Sequence, residues 1–479
     1  MKNQTSCHNS IPSASTAPAS PFLHSRSRIP LCLAASAAAL LLNIAPAAKA
    51  ETFNKTSGTN TWNSTANWVE ATIPNAVDAI AIFDSPTAAR TINLDTVITV
   101  GSITFNINAN FTNLLQNGTG GSLTLDAAGA GPATITTDGT TTSLITLSAS
   151  QTWLDSVTVN TISATSTSAA GALTMTGTVG GAGGLTKAGI GTLTLATAAK
   201  TYTGPTFVNA GRLRLSALGS PALSSSVTVA SGGQITFTGA NGTFTLGASD
   251  LNLNGSGLTT FPGAIRADQV GSIIPNAVVL QSNSSINVPG ATTTLTLQGT
   301  VSGLGRLEVG TLPGDPLNQG TLTLAGNNSY LGGTTVTQGT LIVSGSLTDL
   351  GAGNVMVDGI STGPGGSVAN GKLTIHSGVI NAIDDFATLI LTGGSGVGAA
   401  DGGFVNLGAG IDETVAGLVL CGTAQGIGTY GSTASLAAFQ NDEYFAGTGI
   451  VTVVPEPGTA AVLIGGLGLL LGRSRRRTV

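Results

Sequence analysis

The sequence predicts an all-β chain: an elongated right-handed parallel β-helix, preceded by a signal peptide and followed by a short C-terminal transmembrane helix. Three observations point there. Of the 479 residues only 8% are charged, against about a quarter in an ordinary domain. Glycine and β-branched residues are spread throughout, which disfavours helix and favours short strands between tight turns. Short glycine-led pieces of alternating apolar and polar residues recur along the chain, several of them at steps of 20 to 22 residues. An apolar fraction of 41% and a net charge of −5 exclude an intrinsically disordered chain.

The pieces are GSITF at Gly101, GSLTL at Gly121, SLITL at Ser143, GALTM at Gly171, GTLTL at Gly191, GRLRL at Gly211 and GQITF at Gly233. After an irregular middle, GTLTL returns at Gly320, GTLIV at Gly339 and GKLTI at Gly371. Alternation buries one face of each strand and leaves the other wet, and the leading glycine suits a tight corner. A coil of this size cannot bury its own apolar face, so it must stack on its neighbours. Roughly 350 residues in such coils would form a rod on the order of 70–85 Å long. Leu, Val, Ile, Ala and Phe would point inward, and Thr, Ser and Asn outward. A pair of β-sandwiches is the alternative, because alternation alone does not separate the two.

Residues 1–50 read as a signal peptide. Arg26 and Arg28 precede an apolar run from Leu31 to Ile44, and Ala48 and Ala50 stand where a signal peptidase reads, so the mature chain starts at Glu51. An uncleaved anchor is the alternative. Residues 51–100 hold an N-terminal cap and the first coils. There Trp62 and Trp68 are two of only three tryptophans. They read as an aromatic plug closing the open end of the stack or as a glycan-stacking platform. Coils fill residues 101–410. Residues 411–454 form a hairpin-rich closing cap, and residues 455–479 a tail.

Two segments match each other closely: GTLTLATAAKTYTGPTFVNAGRLRL from Gly191, and GTLTLAGNNSYLGGTTVTQGTLIV from Gly320. Tyr202, Gly204 and Gly211 in the first have the spacing of Tyr330, Gly332 and Gly339 in the second. The pattern reads as strand, corner, strand, corner, strand, with each tyrosine ring against the coil edge and its hydroxyl in water. The segments resemble the autotransporter-associated β-strand repeat of β-helical passenger-type surface proteins. That resemblance implies a β-helical stalk and no activity. Because no run of alternating barrel strands follows, the chain is not expected to transport itself.

The chain ends VVPEPGTAAVLIGGLGLLLGRSRRRTV. Thr459–Leu471 is short for a span of about 20 residues, but with its flanks it can cross. Arg473, Arg475, Arg476 and Arg477 would then stop it on the cytoplasmic side of the inner membrane. Pro455-Glu456-Pro457, a short apolar segment and a terminal arginine cluster, in that order, resemble the PEP-CTERM sorting signal. The resemblance implies an exosortase partner that reads the triplet, a membrane-anchored precursor, and a destination at the cell surface or in the extracellular polysaccharide matrix. Prolines suit such recognition by holding the segment extended.

Chemistry is sparse. Residues 51–454 carry 21 acidic and 9 basic side chains, which argues against nucleic acid as a partner. One cysteine, Cys421, and one histidine, His376, fall in that span. A Cys/His metal centre is therefore excluded, and no cofactor is expected. Cys421 should pack as a small apolar residue, and His376 should lie exposed at a strand end. The acidic pairs Asp384-Asp385 and Asp412-Glu413 place neighbours on opposite faces of a strand, so neither makes an acid/base couple. Lys187, Arg212, Arg214, Arg266 and Arg306 read as scattered. GGSGVGAADGGF, residues 393–404, lacks the repetition of calcium-binding β-helix turns and reads as a loop. The expectation is a non-enzymatic structural or adhesive stalk. A β-helical polysaccharide lyase or glycosidase is the alternative, and it would show three or more carboxylates with an arginine on one exposed groove.

Overall fold

In a computed structural model the chain divides into two units, residues 1–47 and 48–479. The structure describes residues 49–454, apart from 108–109, 129–130, 140–143, 163–172, 217–218, 223, 240–241, 248–249, 311–319, 346–349, 360–369 and 394–401. The signal peptide, the Pro455–Pro457 triplet, the apolar tail and its four arginines lie outside the described residues, as does most of the 393–404 glycine string.

Parallel pairing dominates, and it excludes the sandwich alternative. Each full coil contributes three strands, and strands of successive coils pair in register. The first face runs from Ala50–Phe53 through Ile80–Asp84, Ser102–Asn106, Ala133–Asp138 and Val157–Thr161 to Leu185–Ala188 and beyond. The second runs from Gly58–Thr61 through Arg90–Leu94, Asn113–Asn117, Ile145–Leu147, Leu173–Met175, Thr192–Leu195 and Gly211–Leu215 to Gly233–Phe237. The third holds a four-stranded sheet ending at Val179–Gly181 and an eight-stranded sheet from Gly242–Thr243 to Phe445–Gly447. The described residues contain no α-helix and a 3-10 turn at Thr65–Asn67, and no helix among them is long and apolar enough to cross a membrane.

Alternation sets this arrangement. In Thr192–Leu195, Gly211–Leu215 and Lys372–Ile375 the Leu and Ile side chains are fully buried, while the intervening Thr194, Arg214 and Thr374 are partly exposed. Stacking then places like on like: Leu173, Leu193 and Leu213 lie in one column at intervals of 20 residues. The same column spans 28 residues from Ile145 to Leu173, so the longer coils carry insertions at corners and keep the strand register. The ladder read from sequence draws on all three faces. GSITF belongs to the first face, GSLTL to the third, and the pieces from SLITL to GQITF to the second. GTLTL, GTLIV and GKLTI at residues 320–375 form a column of the third.

Both ends are closed. At the N-terminal end Trp62 and Trp68 pack with ring centroids 5.0 Å apart, against Phe53 and Phe83. Trp62 Nε1 donates to the Pro74 carbonyl at 3.0 Å, and Trp68 Nε1 to the Trp62 carbonyl at 2.8 Å. Trp62 is 0% exposed and Trp68 2%, so neither offers a face to a sugar, and the plug holds over the glycan platform. At the other end Gly428–Gly431 pairs antiparallel with Ile450–Val453, which itself pairs parallel with Asp412–Val415. Cys421 is exposed, contrary to the expectation of a packed thiol. It sits at φ +45° in the turn that joins Gly417–Leu420 to the antiparallel Thr423–Ala424, where its side chain points away from the core.

Candidate functional site

The two matching segments fold into the same corner. Tyr202 and Tyr330 are completely buried, which corrects the expectation of a solvated hydroxyl. Tyr202 Oη lies 2.7 Å from Thr206 Oγ1, and Tyr330 Oη makes the same contact with Thr334 Oγ1. The pairing atom comes from the residue four positions on. YTGPT and YLGGT both contain it, and that Tyr-x-Gly-x-Thr spacing was the available signal. In the first corner the chain of hydroxyls continues from Thr206 to Ser224 Oγ at 3.0 Å, and Ser224 reaches the Gly204 and Ser226 carbonyls at 2.9 Å each. Carbonyls only accept, so the direction is fixed: Ser224 donates to a carbonyl, Thr206 to Ser224, and Tyr202 to Thr206.

The glycine between them is needed for close approach. A Cβ on Gly204 would lie 2.5 Å from the Gly183 carbonyl carbon, and one on Gly332 2.3 Å from the Arg306 nitrogen. Gly211 and Gly339 sit at φ +66° and +77°, where a side chain is strained. The repeats are set one face apart. Val179–Gly181 of the third face lies beneath the Tyr202 corner, whereas Val301–Gly303 of the first lies beneath the Tyr330 corner. The motif is therefore a portable corner and does not mark one side of the stack.

Several charged groups are spent inside the coils. Lys187 occupies an inward position of Leu185–Ala188, and its Nζ donates to the carbonyls of Ala188, Gly189 and Ala210 at 2.7, 2.7 and 3.0 Å. Burial draws its pKa down to about 7. Lys200 donates to the Ala196 and Ala198 carbonyls, and burial draws it to about 8. Arg90, 2% exposed, binds Asn113 Oδ1 and the carbonyls of Lys55 and Asp84. Glu413 accepts the Ala382 and Ile383 amides at 3.1 and 3.0 Å. Burial raises its pKa, and those two amides oppose the rise.

No acid/base constellation assembles among the described residues. Asp412 is exposed and accepts from Thr452 Oγ1, while its neighbour Glu413 is buried. Asp384 accepts the Phe386 amide as a local turn. His376 is exposed just after Lys372–Ile375, as the sequence indicates. Asp78, Asp126 and Asp155 do come together at one corner. Asp78 accepts the Ala128 amide and Asp155 the Ala127 amide, each at 2.7 Å. Burial, then Asp155, raises the Asp126 pKa. These carboxylates tie a corner together with no arginine beside them, and no group of His, Cys, Asp or Glu among the described residues is arranged to hold a metal.

The basic residues are less scattered than the sequence suggests. Arg212 and Arg214 alternate with the buried Leu213 and Leu215, so both point outward from the second face. Register carries Arg214 to Thr236 and Thr236 to Arg266. The three guanidiniums thus share one patch. A loop through Phe261 folds over it: Gln234 Nε2 donates to the Phe261 and Gly263 carbonyls, and its Oε1 accepts from Arg212 Nε at 2.9 Å. The Arg212 and Arg266 guanidinium carbons lie 5.4 and 5.3 Å from the Phe261 centroid.

The family model described as the passenger-associated-transport-repeat matches residues 185–215 and 318–343. A stretch of 153 residues, 32% of the chain, is 33% identical to the adhesin BmaC autotransporter of Brucella suis biovar 1 (strain 1330). The chain spans 4% of that protein's length. No solved structure matches. The two segments that match the passenger-associated-transport-repeat model thus each form a Tyr-x-Gly-x-Thr corner in a stack of parallel coils.

Proposed function

We propose that the chain is an exported, non-enzymatic, adhesin-like surface stalk, delivered through its tail. The observation that carries the reading is how the coils use their ionisable groups. Lys187, Lys200, Arg90 and Glu413 are bound to backbone inside the stack, Asp384 serves a local turn, and Asp412 accepts from Thr452 across a strand pair. A stack of parallel coils built this way is a spacer, each coil adding about 4.8 Å. Two passenger repeats and the partial likeness to an adhesin support a surface location.

Delivery is assigned to the tail. In this reading Arg473, Arg475, Arg476 and Arg477 hold the precursor in the inner membrane, and an exosortase acts at Pro455-Glu456-Pro457 on the outer side. Replacing the triplet by alanine should leave membrane retention intact and stop maturation. Replacing the four arginines by serine should weaken retention. Gel mobility and membrane fractionation separate precursor from product. A triple-alanine variant that still leaves the membrane at the normal rate would remove the sorting assignment.

A further inference from the structure

We infer that the outward patch of Arg212, Arg214 and Arg266, under the Phe261 loop, is a subsite for the carboxylate of an acidic, uronate-bearing polysaccharide. Arg212 is 8% exposed, and its Nη2 is buried without a hydrogen-bond acceptor. A buried guanidinium nitrogen in that state calls for a partner. Its Nε is satisfied by Gln234, which fixes the plane of the fork, so the unpaired edge is pre-oriented. Arg214 holds a second unpaired nitrogen, its buried Nε, on the same strand. The counter-charge at the patch is Asp268, which takes Arg266 Nε at 2.7 Å. Three cations to one carboxylate leaves an excess of two positive charges, within a span of 21 acidic and 9 basic side chains.

The shape suits a planar oxyanion. Guanidiniums bind carboxylates through paired N–H donors. The loop over the patch is held down from beneath by Gln234, and by Asn287 Nδ2 on the Pro262 carbonyl. Its outer residues, Thr259 and Thr260, are exposed and Arg214 is half-buried, which leaves one open side. A single local patch on an acidic chain does not fit the continuous phosphate track of a nucleic acid. It fits a hydroxyl-rich polymer with a carboxylate at intervals, lying across coils faced with Thr and Asn.

The inference rests on the surface reading for where such a polymer is met, but its test does not. The purified full chain in mild detergent is titrated with alginate oligomers, with dextran as the neutral control and single-stranded DNA as a competitor. Alginate should bind and dextran should not, with affinity falling as salt rises. Arg214→Gln and Arg212→Gln should each weaken binding at least tenfold, while exposed Arg306→Gln should stay within twofold. Arg214 is half-buried, so its variant keeps the test valid if Arg212→Gln loses its circular dichroism. No binding to alginate, an unchanged Arg214→Gln, or displacement by DNA at lower concentration than by alginate each overturns the inference. Failure here leaves export and sorting untouched, and failure of the triplet experiment leaves this binding untouched.

Discussion

The hydroxyl chain at the first repeat corner makes a prediction whose order follows from direction. Tyr202 donates to Thr206, which donates to Ser224, which ends on a carbonyl. Tyr202→Phe removes one donor and leaves the outgoing bonds of Thr206 and Ser224 in place. That loss should cost about 1 kcal/mol, the net worth of an ordinary hydrogen bond. Thr206→Val is isosteric, but it strands the Tyr202 hydroxyl, which is 0% exposed, and takes the incoming donor from Ser224. An unsatisfied buried donor adds a desolvation penalty, so the cost should be about 2–3 kcal/mol. The double variant should cost less than the two singles together, by about 1 kcal/mol, because phenylalanine leaves nothing stranded. Trp153 packs with its ring centroid 4.9 Å from that of Tyr202 and provides a local fluorescence signal for urea unfolding. A Thr206→Val no more costly than Tyr202→Phe, or strictly additive costs, would refute the donor order.

Two further outcomes follow from the same coils. Gly204→Ala and Gly332→Ala, whose new Cβ would meet backbone at 2.5 and 2.3 Å, should each cost about 1–3 kcal/mol, whereas Gly131→Ala, with open space around it, should stay within about 0.5 kcal/mol by urea midpoint. Because burial lowers the Lys187 pKa from 10.5 to about 7, the unfolded chain holds a proton that the folded chain lacks between those values. Stability should therefore rise across that window, by up to about 1.4 kcal/mol per pH unit per lysine, and show no Lys187 slope below pH 7. Lys200, drawn to about 8, adds to the upper part of the rise. Lys187→Met should flatten the slope between pH 7 and 8, which urea midpoints at half-unit steps would read.

Much of the fold was legible because it rests on local pattern. Period-2 alternation gave the strands, and Trp62 and Trp68 stood where an open stack needs a plug. What escaped depends on register between coils. Arg214 and Arg266 are 52 residues apart, and only the pairing through Thr236 joins them. Tyr202 and Tyr330 read as wet corner residues from their spacing alone, and only the threonine four positions on supplies the buried acceptor. Lys187 sat in an apparent apolar alternation, Leu185 then Lys187, and that inward phase was the sign that its ammonium is buried. Cys421 follows the apolar Gly417–Leu420 but falls in the turn after it, where the phase no longer applies.

Successive coils stack in register whatever their length. Spin labels at Thr59 paired with labels at Thr174, Thr194 or Arg214 test it by electron-electron double resonance. All four residues lie in one outward column, with Thr174, Thr194 and Arg214 four, five and six coils from Thr59. At about 4.8 Å per coil the Cα separations should be about 19, 24 and 29 Å. The step should stay constant although the coils closing at Thr146 and Thr174 are longer than those closing at Thr194 and Arg214. Distances that follow chain length, or a Thr59–Arg214 separation no greater than that of Thr59–Thr174, would contradict the stack.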